Sequence, residues 1–68
     1  MPRFNASSTM NMTLKVIDMK GEVVYESGGY ETNQKINLGK ELSTTGIYMV
    51  IAIYDNKRQI VKVEKVEN

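Results

Sequence analysis

Two strand-like runs separated by a short turn occupy the last part of the chain, and they constrain the fold more than any other feature. Residues 46–54 form the first run and residues 59–66 form the second, with a turn over residues 55–58. The first run is apolar at odd and even positions alike, which is typical of a central strand covered on both faces. The second run carries charged residues among its valines, which is typical of an edge strand. We therefore predict a β-hairpin that builds the C-terminal residues into a sheet.

Turn signals recur roughly every eight to twelve residues along the chain, which indicates a small all-β fold. Apolar and polar residues alternate over residues 10–16, a pattern typical of a half-buried strand. Asp18 and Gly21 stand at the first and last positions of the next four residues, as in a type I turn. A short return strand is expected over residues 22–26, ended by residues 27–29, Ser-Gly-Gly.

The middle of the chain predicts little regular structure. Residues 31–35 are polar and favour a loop or the start of a third strand, with Ile36 and Leu38 alternating on one face. Residues 40–42 favour a single helical turn, because the threonines that follow disfavour a longer one. We expect Leu42 to close one end of the core where this segment crosses to the hairpin.

These elements predict an all-β fold, a small immunoglobulin-like β-sandwich of about five to seven short antiparallel strands. Residues 1–9 are expected to be a flexible or extended N-terminal segment, and residues 10–68 the sandwich domain. Because the first arm of the hairpin is apolar on both faces, something must cover its second face. A second sheet, another copy of the chain and a preceding domain are the three alternatives.

Composition excludes several classes of function. The chain of 68 residues has a net charge of +1 and contains neither cysteine nor histidine. We therefore expect no nucleic-acid partner, no metal site, no cofactor and no enzymatic activity. The most apolar run, residues 47–54, is too short to span a bilayer as a helix. The first residues lack the hydrophobic segment of a signal peptide, and Met1 is compatible with an expression start in front of an excised domain.

Four blocks occur in an order that resembles the C-terminal sorting domain of type IX secretion cargo proteins in Bacteroidetes. The blocks are a strand running into an Asp-x-x-Gly-x-x-Val turn, a leucine-bearing crossing segment, a Gly-x-Tyr strand and a final lysine-bearing strand. They stand here at residues 14–24, 36–42, 46–50 and 57–65, so the resemblance covers roughly residues 12–66. The Pro-x-Asn-Pro opening of the family is missing, with only Pro2 and Asn5 nearby. The absence of tryptophan disfavours the related gliding-motility type.

The resemblance implies a sorting function rather than chemistry. It implies that a preceding cargo protein crosses the inner membrane by an ordinary signal peptide and folds in the periplasm. The outer-membrane translocon then recognises this domain. A cell-surface sortase removes it, anchoring the cargo at the surface or releasing it. The alternative is a structural or adhesive immunoglobulin-like module that packs on a larger surface protein or enzyme.

The candidate recognition residues are carried over from the last two blocks of the family pattern: Gly46, Tyr48, Lys57, Lys62 and Lys65. Each also has a structural interpretation. Gly46 would begin a strand where a side chain would clash, Tyr48 would be a core residue, and the charged residues of the last run would protect a solvated edge. A homodimer through edge strands or hairpin exchange is a further possibility that the sequence leaves open.

Overall fold

Four antiparallel strands form one sheet in the computed structural model, which describes residues 3–42 and 44–66. They are β1 (Asn11–Ile17), β2 (Val23–Glu31), β3 (Gly46–Tyr54) and β4 (Lys57–Lys65), and their order across the sheet is β2-β1-β3-β4. The prediction of an all-β antiparallel fold is confirmed. The strands described number four rather than five to seven, because the segment between β2 and β3 lies over the sheet as irregular chain.

The hairpin of β3 and β4 is confirmed, with a tighter turn than predicted. Its register runs from Gly46 opposite Lys65 to Tyr54 opposite Lys57 without a shift. Only Asp55 and Asn56 lie in the loop, with φ angles of 52° and 57°. Positive φ at both positions defines a type I′ turn, and Asp and Asn tolerate this conformation better than other side chains. β3 is a central strand and β4 an edge strand, as predicted.

Asp18 organises the turn between β1 and β2. Its carbonyl oxygen accepts a hydrogen bond from the Gly21 amide at 3.0 Å, and its carboxylate accepts from the amides of Lys20 and Glu22 at 2.9 and 3.0 Å. Gly21 has a φ of 89°, which a residue with a Cβ adopts only with strain. The acidic side chain thus satisfies backbone donors that the tight turn leaves unpaired.

The predicted end of β2 at the Ser-Gly-Gly sequence is wrong, because the strand continues through it to Glu31. Met12 pairs with Tyr30 and Leu14 with Ser27, so β2 contains one more residue than β1 over this interval. Gly29 has a φ of 86° at this point. The glycines therefore form a bulge within an edge strand instead of breaking it.

The core lies on one face of the sheet, which we call the inner face. Alternate residues of β1 and β3 point into it, and Phe4, Ile36, Leu38 and Leu42 cover them from segments outside the strands. The buried apolar residues are Phe4, Met12, Leu14, Val16, Ile36, Leu38, Leu42, Tyr48, Val50 and Ala52. The second layer over the inner face thus consists of irregular chain instead of a second sheet, and the expected role of Leu42 is confirmed.

Thr32 and Asn33 hold that second layer together. Thr32 is fully buried, and its hydroxyl accepts from the Met10 amide at 2.8 Å and donates to the Ser8 carbonyl at 3.2 Å. The Asn33 side chain accepts from the Ala6 amide at 2.8 Å. These bonds join the N-terminal segment to the crossing segment and leave the Thr32 hydroxyl satisfied.

The N-terminal segment contributes to the same core as the strands. Phe4 is 0% exposed, and its carbonyl accepts from the Asn33 amide at 2.7 Å. The predicted division between residues 1–9 and the rest stays a prediction. Within the described part of that segment, however, Phe4 is anchored rather than solvated.

The predicted helical turn is present after Leu38. The amides of Glu41 and Leu42 both donate to the Leu38 carbonyl at 3.2 Å. The turn brings Leu42 back over the inner face. No strand forms at Ile36 and Leu38, although both side chains are buried on one side as the alternation predicted.

Candidate partner-binding surface

Gly46 and Tyr48 have structural roles at the start of β3. Tyr48 is 7% exposed, and its hydroxyl donates to the Thr44 carbonyl at 2.7 Å. Gly46 has a φ of 150°, and no atom lies within 4 Å of the place where a Cβ would stand. The expected clash at Gly46 is therefore wrong: backbone conformation, not space, accounts for the glycine.

Lys65 ties the end of β4 to the crossing segment. Its ammonium group donates to the Gly39 carbonyl at 2.8 Å and also to the Leu42 carbonyl. These carbonyls lie in the helical turn, and a lysine side chain near the end of a helical turn can bond its last carbonyls. The side chain is half-buried, and its charged end is bonded within the fold.

Lys57 and Lys62 are exposed, but they lie on different faces of β4. Lys62 is opposite Met49 on the face away from the core, whereas Lys57 is opposite Tyr54, which packs against the core on the inner face. The carried-over residues therefore do not converge on one patch. What they share is the terminal hairpin, and this directs attention to its free edge.

The outer edge of β4 presents an unbroken row of backbone donors and acceptors. In a hairpin with a two-residue loop, the residues flanking the loop form a hydrogen-bonded pair, and such pairs then alternate along the ladder. Starting from Tyr54 and Lys57, this alternation directs the odd-numbered residues of β4 towards β3. The backbone groups of Arg58, Ile60, Lys62 and Glu64 then point away from the sheet, and no described strand pairs with them.

The side chains of those residues also lie together, on the face opposite the core. All of Arg58, Ile60, Lys62 and Glu64 are exposed. Sequence reasoning selected Lys62 and missed the other three. The signal was nevertheless available, because the parity set by a two-residue loop assigns both the backbone direction and the side-chain face of every residue in the second arm.

An apolar stripe runs beside this edge on the same face, which we call the outer face. It is formed by Ile47, Met49, Ile51 and Ile53 of β3 and continues to Ile60 of β4. Ile53 is 41% exposed and Ile60 is 51% exposed. No described part of the chain forms a layer over this face, so the expected covering of β3 on both sides is not supplied by a second sheet.

The opposite edge of the sheet is less suited to binding another strand. β2 has two register irregularities against β1, one near its middle and one near its start. Bulges twist an edge and interrupt its row of hydrogen-bonding groups. The ladder between β3 and β4 has none, so β4 is the regular edge of this sheet.

A pair of tyrosines with a nearby carboxylate lies at the β2 side of the core. The hydroxyls of Tyr25 and Tyr30 are 2.6 Å apart. Burial, together with this hydrogen bond and the negative potential of Tyr25 and Glu41, raises the pKa of Tyr30 to about 12. Within the described structure the Oε2 atom of Glu41 is buried without a hydrogen-bond partner. With this elevated pKa the Tyr30 hydroxyl stays protonated, and able to donate a hydrogen bond, to a higher pH than an ordinary tyrosine.

An open cleft of about 410 Å³ lies at one end of the sheet, between the turn of Asp18 and the segment leading into β3.

Residues 3–42 and 44–66 contain no group of three or more residues placed to hold a metal ion. Nor do these residues include a helix long and apolar enough to cross a membrane.

The fold and the surface define a small all-β module with a regular strand edge beside an apolar stripe. Comparison with known proteins identifies the family. Residues 2–67 match the family model described as the secretion system C-terminal sorting domain, and the chain belongs to that family, the sorting signal of type IX secretion. Neither the curated proteins nor the solved structures gave a match.

Membership of this family accounts for the general function. The domain is a sorting signal that associates with a preceding cargo and with the secretion machinery. Its cargo is exported through the outer membrane, to the cell surface or the medium. Such domains are not normally catalytic. The match begins at residue 2, so the family pattern includes the segment that carries Phe4.

Proposed function

We propose that the secretion machinery recognises this domain by adding one of its own strands to the open edge of β4. The observation that supports this is the regular row of outward backbone groups from Arg58 to Glu64, in a domain that belongs to a sorting family. Strand addition draws its affinity from main-chain hydrogen bonds and its specificity from alternate side chains. β4 offers both on one surface.

Among the carried-over residues, Lys57 and Lys62 contact the incoming strand in this proposal, since both are exposed on β4. Gly46, Tyr48 and Lys65 act indirectly. The contacts of Tyr48 and Lys65 fix the start of β3 and the end of β4 to the crossing segment, and Gly46 supplies the backbone conformation with which β3 begins. The edge is thereby held straight and ready to pair, which lowers the ordering cost of binding.

The proposed sequence of events follows the family. The cargo reaches the periplasm and folds there, the translocon binds β4, and the cargo crosses the outer membrane. A cell-surface sortase then removes the domain and leaves the cargo anchored or released. These later steps rest on membership of the sorting family alone.

A reporter fused in front of residues 1–68, in a host with type IX secretion, tests the proposal. The fusion should be exported, and deletion of residues 57–68 should retain it in the periplasm. A more specific test compares two substitutions of Lys62. Lys62→Pro removes an outward backbone donor and is tolerated at an edge, whereas Lys62→Ala removes only the side chain. We expect Lys62→Pro to reduce export about tenfold and Lys62→Ala much less, since a charge-assisted contact at an exposed site is weaker.

Thermal unfolding of the purified variants shows whether Lys62→Pro keeps its fold. A folded Lys62→Pro domain that is exported as well as wild type contradicts the proposal. Normal export of the fusion that lacks residues 57–68 contradicts the proposal more strongly.

The alternative of a structural module that packs on the cargo is favoured by one observation, the uncovered apolar stripe of β3. It predicts that a fusion lacking residues 57–68 is exported normally while its cargo unfolds at a lower temperature. Measuring export and cargo stability on the same fusions separates the two functions.

A further inference from the structure

We propose that the strand which the secretion machinery adds to β4 is acidic, with carboxylate side chains opposite Lys57, Arg58 and Lys62. This inference rests on the proposed function, because it names the chemistry of the strand that the open edge receives. It is carried by the distribution of charge across the sheet, which is uneven in a way that protection of an edge does not require.

Positive charge is concentrated in β4. The strand contains four basic residues and one acidic residue, a net charge of +3, whereas the whole chain has a net charge of +1. The rest of the chain therefore has a net charge of −2. The opposite edge strand, β2, contains two acidic residues and no basic residue. The two edges of the sheet thus have opposite charges.

The neighbouring strand does not neutralise the charges of β4, because β3 contains no charged residue. The carboxylates of β2 lie on the far edge of the sheet, about 14 Å away at the usual spacing of strands. That distance exceeds the screening length of about 8 Å at physiological ionic strength. The nearest acidic residues along the chain are Asp55 in the loop and Glu64 towards the other end of the strand. From Lys57 to Lys62 the edge therefore carries basic side chains and no acidic one.

Protection against aggregation does not by itself explain the sign of this charge. Charge of either sign blocks unwanted pairing of an edge, and β2 combines acidic residues with bulges. A second copy is disfavoured as the occupant of β4, since it would bring two strands of net charge +3 together. An acidic strand meets no such repulsion. The sign of the charge therefore selects an acidic strand from among those that the open backbone groups could accept.

The basic side chains lie on both faces of the edge. Arg58 and Lys62 are on the outer face, whereas Lys57 is on the inner face, opposite Tyr54. A flat anionic surface such as a membrane would contact one face only. A strand added to β4 places its own side chains alternately on both faces, so it reaches all three cations at once. The arrangement therefore fits an extended acidic segment.

The order of residues in β4 also gives the pattern expected of the added strand. Acidic residues are expected opposite the three cations, and apolar residues opposite Ile60, Val61 and Val63. Ile60 is 51% exposed, and the two valines are partly buried against the core, so apolar neighbours remove further apolar surface from water. Every strand pair of this sheet is antiparallel. In that direction the pattern corresponds to the peptide Lys-Val-Glu-Val-Ile-Thr-Glu-Asp, whose first residue stands opposite Glu64.

Titration of the complete chain with this peptide, followed by NMR of the backbone amides, tests the inference. The shifts should saturate and should centre on residues 58–64. A control peptide with lysine in place of the three acidic residues should bind about tenfold more weakly, since each charge pair changes from attractive to repulsive. The Lys57→Glu/Lys62→Glu variant should reverse this preference, and thermal unfolding verifies that it is folded. Equal binding of the two peptides, no binding at β4, or an unchanged preference in the folded variant overturns the inference.

Export of the reporter fusion gives a second test. Lys57→Glu/Lys62→Glu should reduce export about tenfold, because both contacts become repulsive. Lys35→Glu/Lys40→Glu is the matched control, since it makes the same change of charge at two exposed lysines outside the four strands and should leave export unchanged. Equal effects of the two variants overturn the inference. Binding of the wild-type chain to phosphatidylglycerol vesicles in preference to the acidic peptide also overturns it, because the edge would then contact an anionic membrane.

The proposed recognition and this inference fail separately. If Lys62→Pro lowers export but Lys57→Glu/Lys62→Glu does not, strand addition stands and the acidic strand is refuted. If the acidic peptide binds β4 but the Lys62→Pro fusion is exported normally, the edge prefers an acidic strand and recognition by strand addition is refuted.

Discussion

Replacing Phe4 by alanine tests whether the N-terminal segment belongs to the folded core. Phe4 is fully buried and its carbonyl is bonded to the Asn33 amide, in a layer that has no regular strand to support it. Phe→Ala at such a site costs about 3–5 kcal/mol, from lost transfer free energy and from the cavity left behind. A chain of 68 residues has a total unfolding free energy of only about 3–10 kcal/mol. The variant should therefore lose a third or more of its stability.

Urea unfolding monitored by circular dichroism measures this change. Met19→Ala is the matched control, since Met19 is 71% exposed in a turn and its removal should change stability by less than about 0.5 kcal/mol. A Phe4→Ala variant that loses less than about 1 kcal/mol would show that the segment is dispensable and that the core described above is wrong at this point.

Three further substitutions test separate parts of the structure. Lys65→Met removes the donor to the Gly39 and Leu42 carbonyls and should lower the urea-derived unfolding free energy by about 1–3 kcal/mol, whereas Lys62→Met should leave it within about 0.5 kcal/mol; equal effects would argue against the Lys65 contacts. Gly46→Ala forces a Cβ onto a φ of 150° and should cost more than about 1 kcal/mol in the same measurement, and a neutral result would refute the conformational explanation. Tyr30 has a pKa of about 12 in the fold against 10.0 for the free side chain, so the stability that it contributes is complete below pH 10 and is lost as the pH rises to about 12; Tyr30→Phe should flatten this fall in thermal stability, and Tyr54→Phe should not.

The hairpin and the leading strand were predictable because their signals are local. Alternation of side chains and a turn sequence fix a strand and its partner within about twenty residues. The two-residue loop at Asp55 was predicted too long because Lys57 and Arg58 look like loop residues in sequence. In the fold they pair with Tyr54 and Ile53 and begin the edge strand.

The second layer was only partly predictable because it depends on contacts distant in sequence. Leu42 was expected in the core, but Phe4 follows no period and lies in a polar segment. Its burial requires Thr32 and Asn33, nearly thirty residues away, to satisfy the backbone of its own segment. The bulge at Gly29 was also not predictable from local sequence, because a Gly-Gly pair favours a break in a strand unless a neighbouring strand holds it in register.

The candidate surface was likewise predictable where its signals are local and not where they depend on the fold. The sequence indicated the terminal hairpin, and the family pattern indicated its lysines. Only the structure separates Lys65, whose charge is used within the fold, from Lys62, which faces outward on the open edge. Residue type alone does not distinguish a lysine that supports an edge from one that a partner contacts.

Site-specific photo-crosslinking during export tests most directly whether the secretion machinery binds the β4 edge. Lys62 on β4 and Glu26 on β2 are both exposed side chains on opposite edges of the sheet, so a photoreactive residue at each gives a matched pair. We predict that a reporter fusion carrying the probe at position 62 cross-links to an outer-membrane component of the machinery, and that the fusion carrying it at position 26 does not. Cross-linking from position 26 alone would contradict the account and place recognition on the other edge.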